Sequence, residues 1–360
     1  MVLQKTHLRE EINIMKAIVK YALGKDGMGL MDVPEPVPQE GELKVKVLAA
    51  GICGGDIHSM LDERVTIMPV ILGHEYVGQI VETCGDVGAF KVGDYVVTLP
   101  ACYSCGTCDF CRAGLVTLCP KRKSIGTHCN GAMAEYVVVP AKYSFKVPDE
   151  VEDKIPYALA EPFNCAVRGV YERIHVKPGN VAVVSGPGPI GQLALQALKT
   201  RGAYVIVSGL KSDAERLKLA AQMGADAVVD NVEDLEREIK KVNPAGADVV
   251  VEAGSHPSSL RTCLDVVRVA GTVLVLGTFG GHDVTLNFDI THVKELSVFG
   301  SNSTAMSSWE IGMKLLNEKK VDLAPLVSMR LPLSEWKRGF EAVINKEAYK
   351  VVFCPDMDAQ

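Results

Sequence analysis

Five cysteines crowd one stretch of the chain: Cys102, Cys105, Cys108 and Cys111 recur every third position, and Cys119 follows in front of Pro120. Tetrahedral zinc takes four thiolates from such short loops, because CxxC spacing lets two sulfurs converge without strain. Five candidates compete for four places, so spacing alone leaves the register open. Cys102 is the least favoured, since Gly106 and Gly114 supply turns between Cys105 and Cys119. An iron–sulfur cluster is the chemical alternative, but the last gap is longer than the C-x2-C-x2-C…C-P pattern allows. Four thiolates leave a zinc no open position for substrate, so this lobe, residues 102–120, is expected to be structural. Three other segments carry groups able to hold a reactive metal: Cys53 in AGICGGDIH, His74 and Glu75 in PVILGHEYVG, and Glu161 in ALAEPFNC. Singly, each has a bland reading as a small buried cysteine, a core histidine or a surface acid.

A second chemistry is written in VAVVSGPGPIGQLALQAL, where Gly186, Gly188 and Gly191 have G-x-G-x-x-G spacing between an apolar strand and a helix. The first glycine permits a tight turn, the second lets backbone amides approach a pyrophosphate, and the third lets helix pack on sheet. The loop Gly186-Pro187-Gly188-Pro189-Ile190-Gly191 therefore reads as a dinucleotide site, with phosphates at a helix N-terminus. The next strand ends at Val207-Ser208-Gly209, where an NAD site usually places an acid on the ribose hydroxyls. Gly209 removes that acid, Lys211 and Arg216 offer counter-charge to a 2′-phosphate, and Ser208 and Ser212 offer donors. These residues tilt the choice between NAD and NADP toward NADP. The competing reading makes Lys211 and Arg216 solvated helix-start charges beside Asp213 and Glu215.

Two kinds of element must position these groups. Residues 44–94 hold short β-rich runs (KVKVLAAGI, YVGQIVE, DYVVTLP) broken by glycine and proline, the pattern of a loop-rich antiparallel domain. Residues 180–300 alternate apolar strands with helical stretches, which predicts an α/β doubly wound parallel sheet. Beyond Ser301 come a helix over 308–319, the turn-rich APLVSMRLPLSEW, a further helix and the final strand KVVFC. This ending has no core of its own, so 1–162 and 302–360 are expected to form one discontinuous domain around a coenzyme domain over 163–301. A chain of 360 residues suits two domains sharing a cleft. A net charge of −6 argues against nucleic acid as the main partner, and no apolar run approaches the ~18 residues of a membrane span. Residues 1–14 are mixed and charged, without a secretory signal, and Met15 could be a second start; the expected location is cytoplasmic. Cysteines so distributed favour metal binding in a reducing compartment over disulfides.

Together, Cys53, the GHE at 73–75, the cysteine lobe, GPGPIG and the βαβ half resemble the medium-chain zinc-dependent alcohol dehydrogenase superfamily over residues 15–355. Glu161-Pro162 stands where classical alcohol dehydrogenases have a cysteine, and is similar to the polyol (sorbitol-type) and threonine dehydrogenase branch. The resemblance implies a GroES-like β-rich catalytic domain and a Rossmann coenzyme domain. It implies two zinc ions per chain. One would sit on Cys53 and His74 with Glu75 or Glu161 as third protein ligand, the other on Cys105, Cys108, Cys111 and Cys119. The implied reaction moves hydride between a secondary alcohol or polyol and NAD(P), zinc lowering the pKa of the substrate hydroxyl. A threonine-type amino-alcohol or hydroxy-acid dehydrogenase is the alternative, and a catalytically silent zinc- and nucleotide-binding structural protein the reading from another class. In relatives a serine or threonine two residues after the cysteine ligand begins a proton relay that a histidine three further on continues. Here Gly55 replaces the hydroxyl, so proton transfer must run through water, through a substrate hydroxyl or ribose to His58, or by another route; the other reading of His58 is a structural histidine near the cofactor. Edges at 284–288 and 296–299 resemble those that relatives pair across subunits, implying a homo-oligomer, dimer or homotetramer.

Overall fold

Alternation in ELKVKVLAAG turns every second side chain of the strand Glu42–Gly51 inward, and its last three residues are buried on both faces. In the computed structural model, which describes residues 13–64 and 66–359, this strand centres a seven-stranded sheet. The order is Val327–Leu331, Lys350–Phe353, Glu42–Gly51, Glu75–Cys84, Tyr95–Thr98 and Ser144–Val147, with Tyr136–Pro140 also pairing Glu42–Gly51. All its pairings are antiparallel except that of the first two strands. A smaller sheet joins Met28–Pro34, Ile14–Lys20 and Val70–Ile71. The charged leader, residues 1–12, lies outside the described residues.

The short apolar runs of the second half form a six-stranded sheet, parallel throughout. Its order is Ala227–Val229, Tyr204–Ser208, Val181–Ser185, Ala247–Glu252, Val267–Val275 and Ser297–Gly300. Counted along the chain this is 3-2-1-4-5-6, the doubly wound dinucleotide order. Every residue of Val181–Ser185 is buried, as a strand covered by helices on both faces requires.

The chain returns to the first sheet at its end, where Val352 pairs with Gly51 and Phe353 with Ala50. Two details differ from the sequence expectation. The segment read as turn-rich contains the strand Val327–Leu331, whose alternating exposure is bracketed by Pro325 and Pro332 just outside its ends. The helix expected over 308–319 runs Met306–Asn317, because Ser308 Oγ accepts the Ala305 N–H at 2.9 Å and starts it earlier. One core joins the two sheets: Phe163, Val167, Leu193, Trp309 and Leu316 belong to a single buried cluster, and Trp309 stacks on Phe145 at 5.1 Å. Among the described residues no helix is long and apolar enough to cross a membrane.

The final strand should carry measurable stability. Phe353 is fully buried and stacks on Phe340 at 6.3 Å, so Phe353→Ala should cost about 3–5 kcal/mol in denaturant unfolding. A loss below about 1 kcal/mol would show that this strand is not part of the cooperative core.

Candidate active site

Cys53 precedes the short helix Gly54–Met60, and Asp56 fixes the turn by accepting the Cys53 N–H at 2.9 Å. His74 follows Gly73, whose φ of +91° and contact with Met133 backbone demand glycine. Glu75 opens the strand Glu75–Cys84 directly across from Gly51. A Cβ on Gly51 would lie 2.6 Å from Glu75 Oε2, so glycine at 51 is what admits the carboxylate. The ligand atoms of Cys53, His74 and Glu75 all lie within 4.8 Å of one another. Glu161, in the first turn of Ala160–Val167, is buried nearby but does not join that cluster; its Oε1 faces the Cys165 sulfur at 3.6 Å.

Glu75 has a partner that the sequence gives no local reason to expect. Lys350 Nζ lies 2.6 Å from each Glu75 oxygen and donates to Ile52 O at 3.1 Å, with both side chains buried. Burial lowers the Lys350 pKa, but the charges of Glu75 and Cys53 outweigh it and keep the ammonium protonated. The one hint in the sequence is a lysine at the head of an otherwise apolar strand. Asp56 was also missed, although an acid three residues beyond a helix cap is a recognisable capping position.

The donors suit a divalent, borderline-soft cation: thiol, imidazole and carboxylate leave the fourth position of a tetrahedron open. The charge balance agrees. Burial lowers the proton affinity of His74, yet the Cys53 sulfur, Asp56 and Glu161 more than compensate and hold its pKa at about 10. The cluster thus draws a positive charge onto the imidazole. Burial pushes the carboxyls of Asp56 and Glu161 upward. His58 is half exposed, and its Nδ1 lies 2.7 Å from Glu63 Oε2.

Cys105, Cys108, Cys111 and Cys119 form a second cluster. The sulfurs of Cys105 and Cys111 are 3.9 Å apart, against about 3.8 Å for two thiolates on tetrahedral zinc with Zn–S near 2.3 Å. Backbone N–H groups of Cys108, Cys111 and Cys105 point at the sulfurs of Cys105, Cys108 and Cys119. Hydrogen bonds from Thr107 backbone and side chain pull the Cys105 thiol down to about 5. The lobe rests on the segment entering Met306–Asn317, through Thr117 to Thr304 O and Met306 N–H to Gly114 O. Cys102 is not in the cluster. Its sulfur lies against that of Cys129, because Cys102 N–H bonds Lys123 O and folds 121–129 back beside it.

At the dinucleotide loop the three glycines differ. Gly186 has φ +107°, and a Cβ there would lie 2.6 Å from Gly254 N; a Cβ on Gly191 would lie 1.9 Å from Gly186 O. A Cβ on Gly188 meets nothing within 4 Å, so that glycine faces the open space a pyrophosphate would occupy. The helix Pro189–Thr200 begins without a side-chain cap, leaving the N–H groups of Ile190 and Gly191 without intrahelical acceptors. Pro187 and Arg216 are tied together, since Gln192 Nε2 donates to both their carbonyls. Ser208 ends its strand half-buried beside them. Gly209 has a steric reason that the sequence does not disclose: a Cβ there would sit 2.9 Å from Pro187 Cγ and 3.3 Å from Asp213 Cβ. Lys211 is exposed and Arg216 half-buried, and among the described residues neither side chain makes an ion pair.

Residues 39–149 match the family model of the alcohol dehydrogenase GroES-like domain, and residues 189–318 that of the zinc-binding dehydrogenases. A sorbitol dehydrogenase of Halalkalibacterium halodurans is 36% identical over 343 residues, covering 95% of this chain and 99% of that one. A D-arabitol-phosphate dehydrogenase of Enterococcus avium is 35% identical, covering 94% and 97%. A Sinorhizobium meliloti 1021 protein solved bound to NADP superposes with a TM-score of 0.87 at 31% identity, over 95% of this chain and 100% of that one.

The unequal glycines can be tested by fluorescence titration with NADPH and by thermal melting. Gly188→Ala should leave the melting temperature unchanged and weaken NADPH about tenfold or more by blocking the backbone's approach. Gly191→Ala should instead lower the melting temperature by about 4 °C or more. Wild-type NADPH affinity in Gly188→Ala would remove the loop from the cofactor site.

Proposed function

The chain belongs to the medium-chain zinc-dependent alcohol dehydrogenase superfamily, and on that footing we propose that it interconverts a polyol secondary hydroxyl and its ketone, with NADP as the preferred nicotinamide. The observation that carries the reading is the convergence of Cys53, His74 and Glu75 beside buried Glu161. Cys53, His74 and Glu75 would hold the catalytic zinc, and Cys105, Cys108, Cys111 and Cys119 a structural one. A zinc ion bound at the first site supplies Lewis-acid polarisation of the substrate oxygen, while the nicotinamide carries the hydride.

The chain's own residues do the rest. Lys350 fixes the orientation of Glu75. Glu161, kept out of the first cluster and with its carboxyl pushed upward by burial, is placed to hydrogen-bond a substrate hydroxyl. Glu63 engages His58 Nδ1, so Nε2 is the nitrogen that exchanges the proton with solvent. The loop Gly186–Gly191 receives the pyrophosphate, and Lys211 with Arg216 receives the 2′-phosphate. That assignment rests on these two cations rather than on Gly209, whose side chain is excluded by Pro187. A cytoplasmic location and assembly into a dimer or tetramer belong to the same proposal. The edge strand Ser297–Gly300, with Val298 41% exposed, supports the assembly.

Steady-state kinetics on hexitols, pentitols, polyol phosphates and L-threonine, each with NAD and NADP, tests the reading. The expected result is a higher kcat/KM for polyols than for L-threonine and about tenfold preference for NADP, narrowed in Lys211→Ala. L-threonine as best substrate would replace the polyol reading with the amino-alcohol one. Preference for NAD, with Lys211→Ala neutral, would overturn the cofactor assignment.

A further inference from the structure

We propose that Glu252 sets the balance between the two redox forms of the bound nicotinamide: its buried carboxylate, without a counter-cation, lies under the nicotinamide half of the dinucleotide and favours the oxidised, cationic ring over the neutral reduced one. The inference rests on the dinucleotide site above and is independent of which polyol, and which of NAD and NADP, the chain uses.

Glu252 is the last residue of the strand Ala247–Glu252 and is fully buried. Its Oε1 accepts three donors, the N–H groups of Gly254 at 2.8 Å and Ser255 at 2.9 Å and the Ser259 hydroxyl at 2.7 Å. That is the pattern of an acceptor-only carboxylate. Oε2 has no partner, and among the described residues Glu252 enters no ion pair; cations of this domain are engaged elsewhere, as in Lys199–Asp226 and Arg268–Asp248. A charge so placed is costly unless something compensates it. Buried Cys263 feels the same charge, its thiol being pushed up to about 12 by burial first and then by Glu252.

Three loops at the carboxyl ends of neighbouring strands meet around this group, with glycines at the contacts. A Cβ on Gly277 would lie 2.4 Å from Oε2, one on Gly254 2.8 Å from Ser259 Oγ, and one on Gly186 2.6 Å from Gly254 N. Ser259 Oγ lies 3.0 Å from Ser185 Oγ, which ties the carboxylate to the strand that opens the dinucleotide loop. The strand order then fixes which half of the cofactor lies here. Val181–Ser185 stands between Tyr204–Ser208 and Ala247–Glu252, and a dinucleotide crosses the crevice at that switch point with its pyrophosphate on the glycine loop. The adenosine ribose belongs to the side of Ser208 and Gly209, so the nicotinamide half falls on the opposite side, over the end of Ala247–Glu252. Hydride transfer cancels the positive charge of the oxidised ring, while Glu252 neither gains nor loses a proton or an electron. In a buried site its carboxylate acts on that charge across several ångströms with little screening.

The test is calorimetric titration of the zinc-loaded protein with the oxidised and reduced forms of NADP and of NAD, each variant first checked by thermal melting. Glu252→Gln, whose amide oxygen can take the same three donors, should weaken the oxidised form relative to the reduced by about threefold to tenfold. Glu252→Met removes the charge at similar length and should shift the ratio the same way, so the test stands if either variant folds. Glu252→Asp and Ser259→Ala keep the charge and should keep the wild-type ratio, whatever they cost in melting temperature. Equal weakening of both forms in the charge-free variants would reduce Glu252 to a structural group and overturn the proposal, as would a ratio that moves as far in the charge-retaining ones. No binding of either form to the wild type would overturn the dinucleotide reading and this proposal with it. The expected shift in a protein that turns over no polyol would leave this proposal standing and remove the polyol reading.

Discussion

The buried pair of Glu75 and Lys350 is the constraint on which the rest of the first domain turns. Neither charge can stand alone in the interior: removing one partner of such a pair costs about 3–5 kcal/mol, because the other is left desolvated and uncompensated. Both Glu75 oxygens lie 2.6 Å from one ammonium, so the final strand must dock before the carboxylate can be buried beside Cys53 and His74. Gly51 must lack a side chain for the same reason. The C-terminal segment is thus a component of the reacting centre although no residue after 301 carries an evident catalytic motif.

Lys350 supplies one positive charge to a pocket that also holds Cys53, Asp56, Glu75 and Glu161. The remaining negative character, above all the Cys53 sulfur, is what overcomes burial and raises His74 to about 10, while burial itself pushes Asp56 and Glu161 upward. A divalent cation would relieve all three at once, displacing the proton from the imidazole and compensating the thiolate. In the proposed arrangement Glu75 would serve two cations, while Glu161 stays one step back with Cys165 against it.

What was legible in the sequence was whatever local geometry writes. Gly191 is demanded by a contact within the βαβ unit itself and Gly186 by its own φ of +107°, and the cysteines from Cys105 to Cys119 converge through backbone turns only a few residues long. Whatever depends on distant segments was not legible. Lys350 lies 275 positions from Glu75, and a strand-initial lysine has nothing local to distinguish it from a surface one. Gly209 shows the opposite failing: its identity was read for what it removes from a ribose site, whereas Pro187 crowds the same position for reasons of packing. The strand Val327–Leu331 was obscured because its flanking prolines look like turn signals until a parallel partner is known to lie alongside.

The central claim is that Glu75 shares its carboxylate between Lys350 and a metal held with Cys53 and His74. Crystals of the purified protein, measured above and below the zinc absorption edge, test it most directly. The account predicts two anomalous peaks per chain, one among Cys105, Cys108, Cys111 and Cys119, and one bonded by Cys53, His74 and Glu75 with Lys350 still on Glu75. A second peak bonded by Glu161 with Glu75 left wholly to Lys350, or no peak beside Cys53, would contradict it.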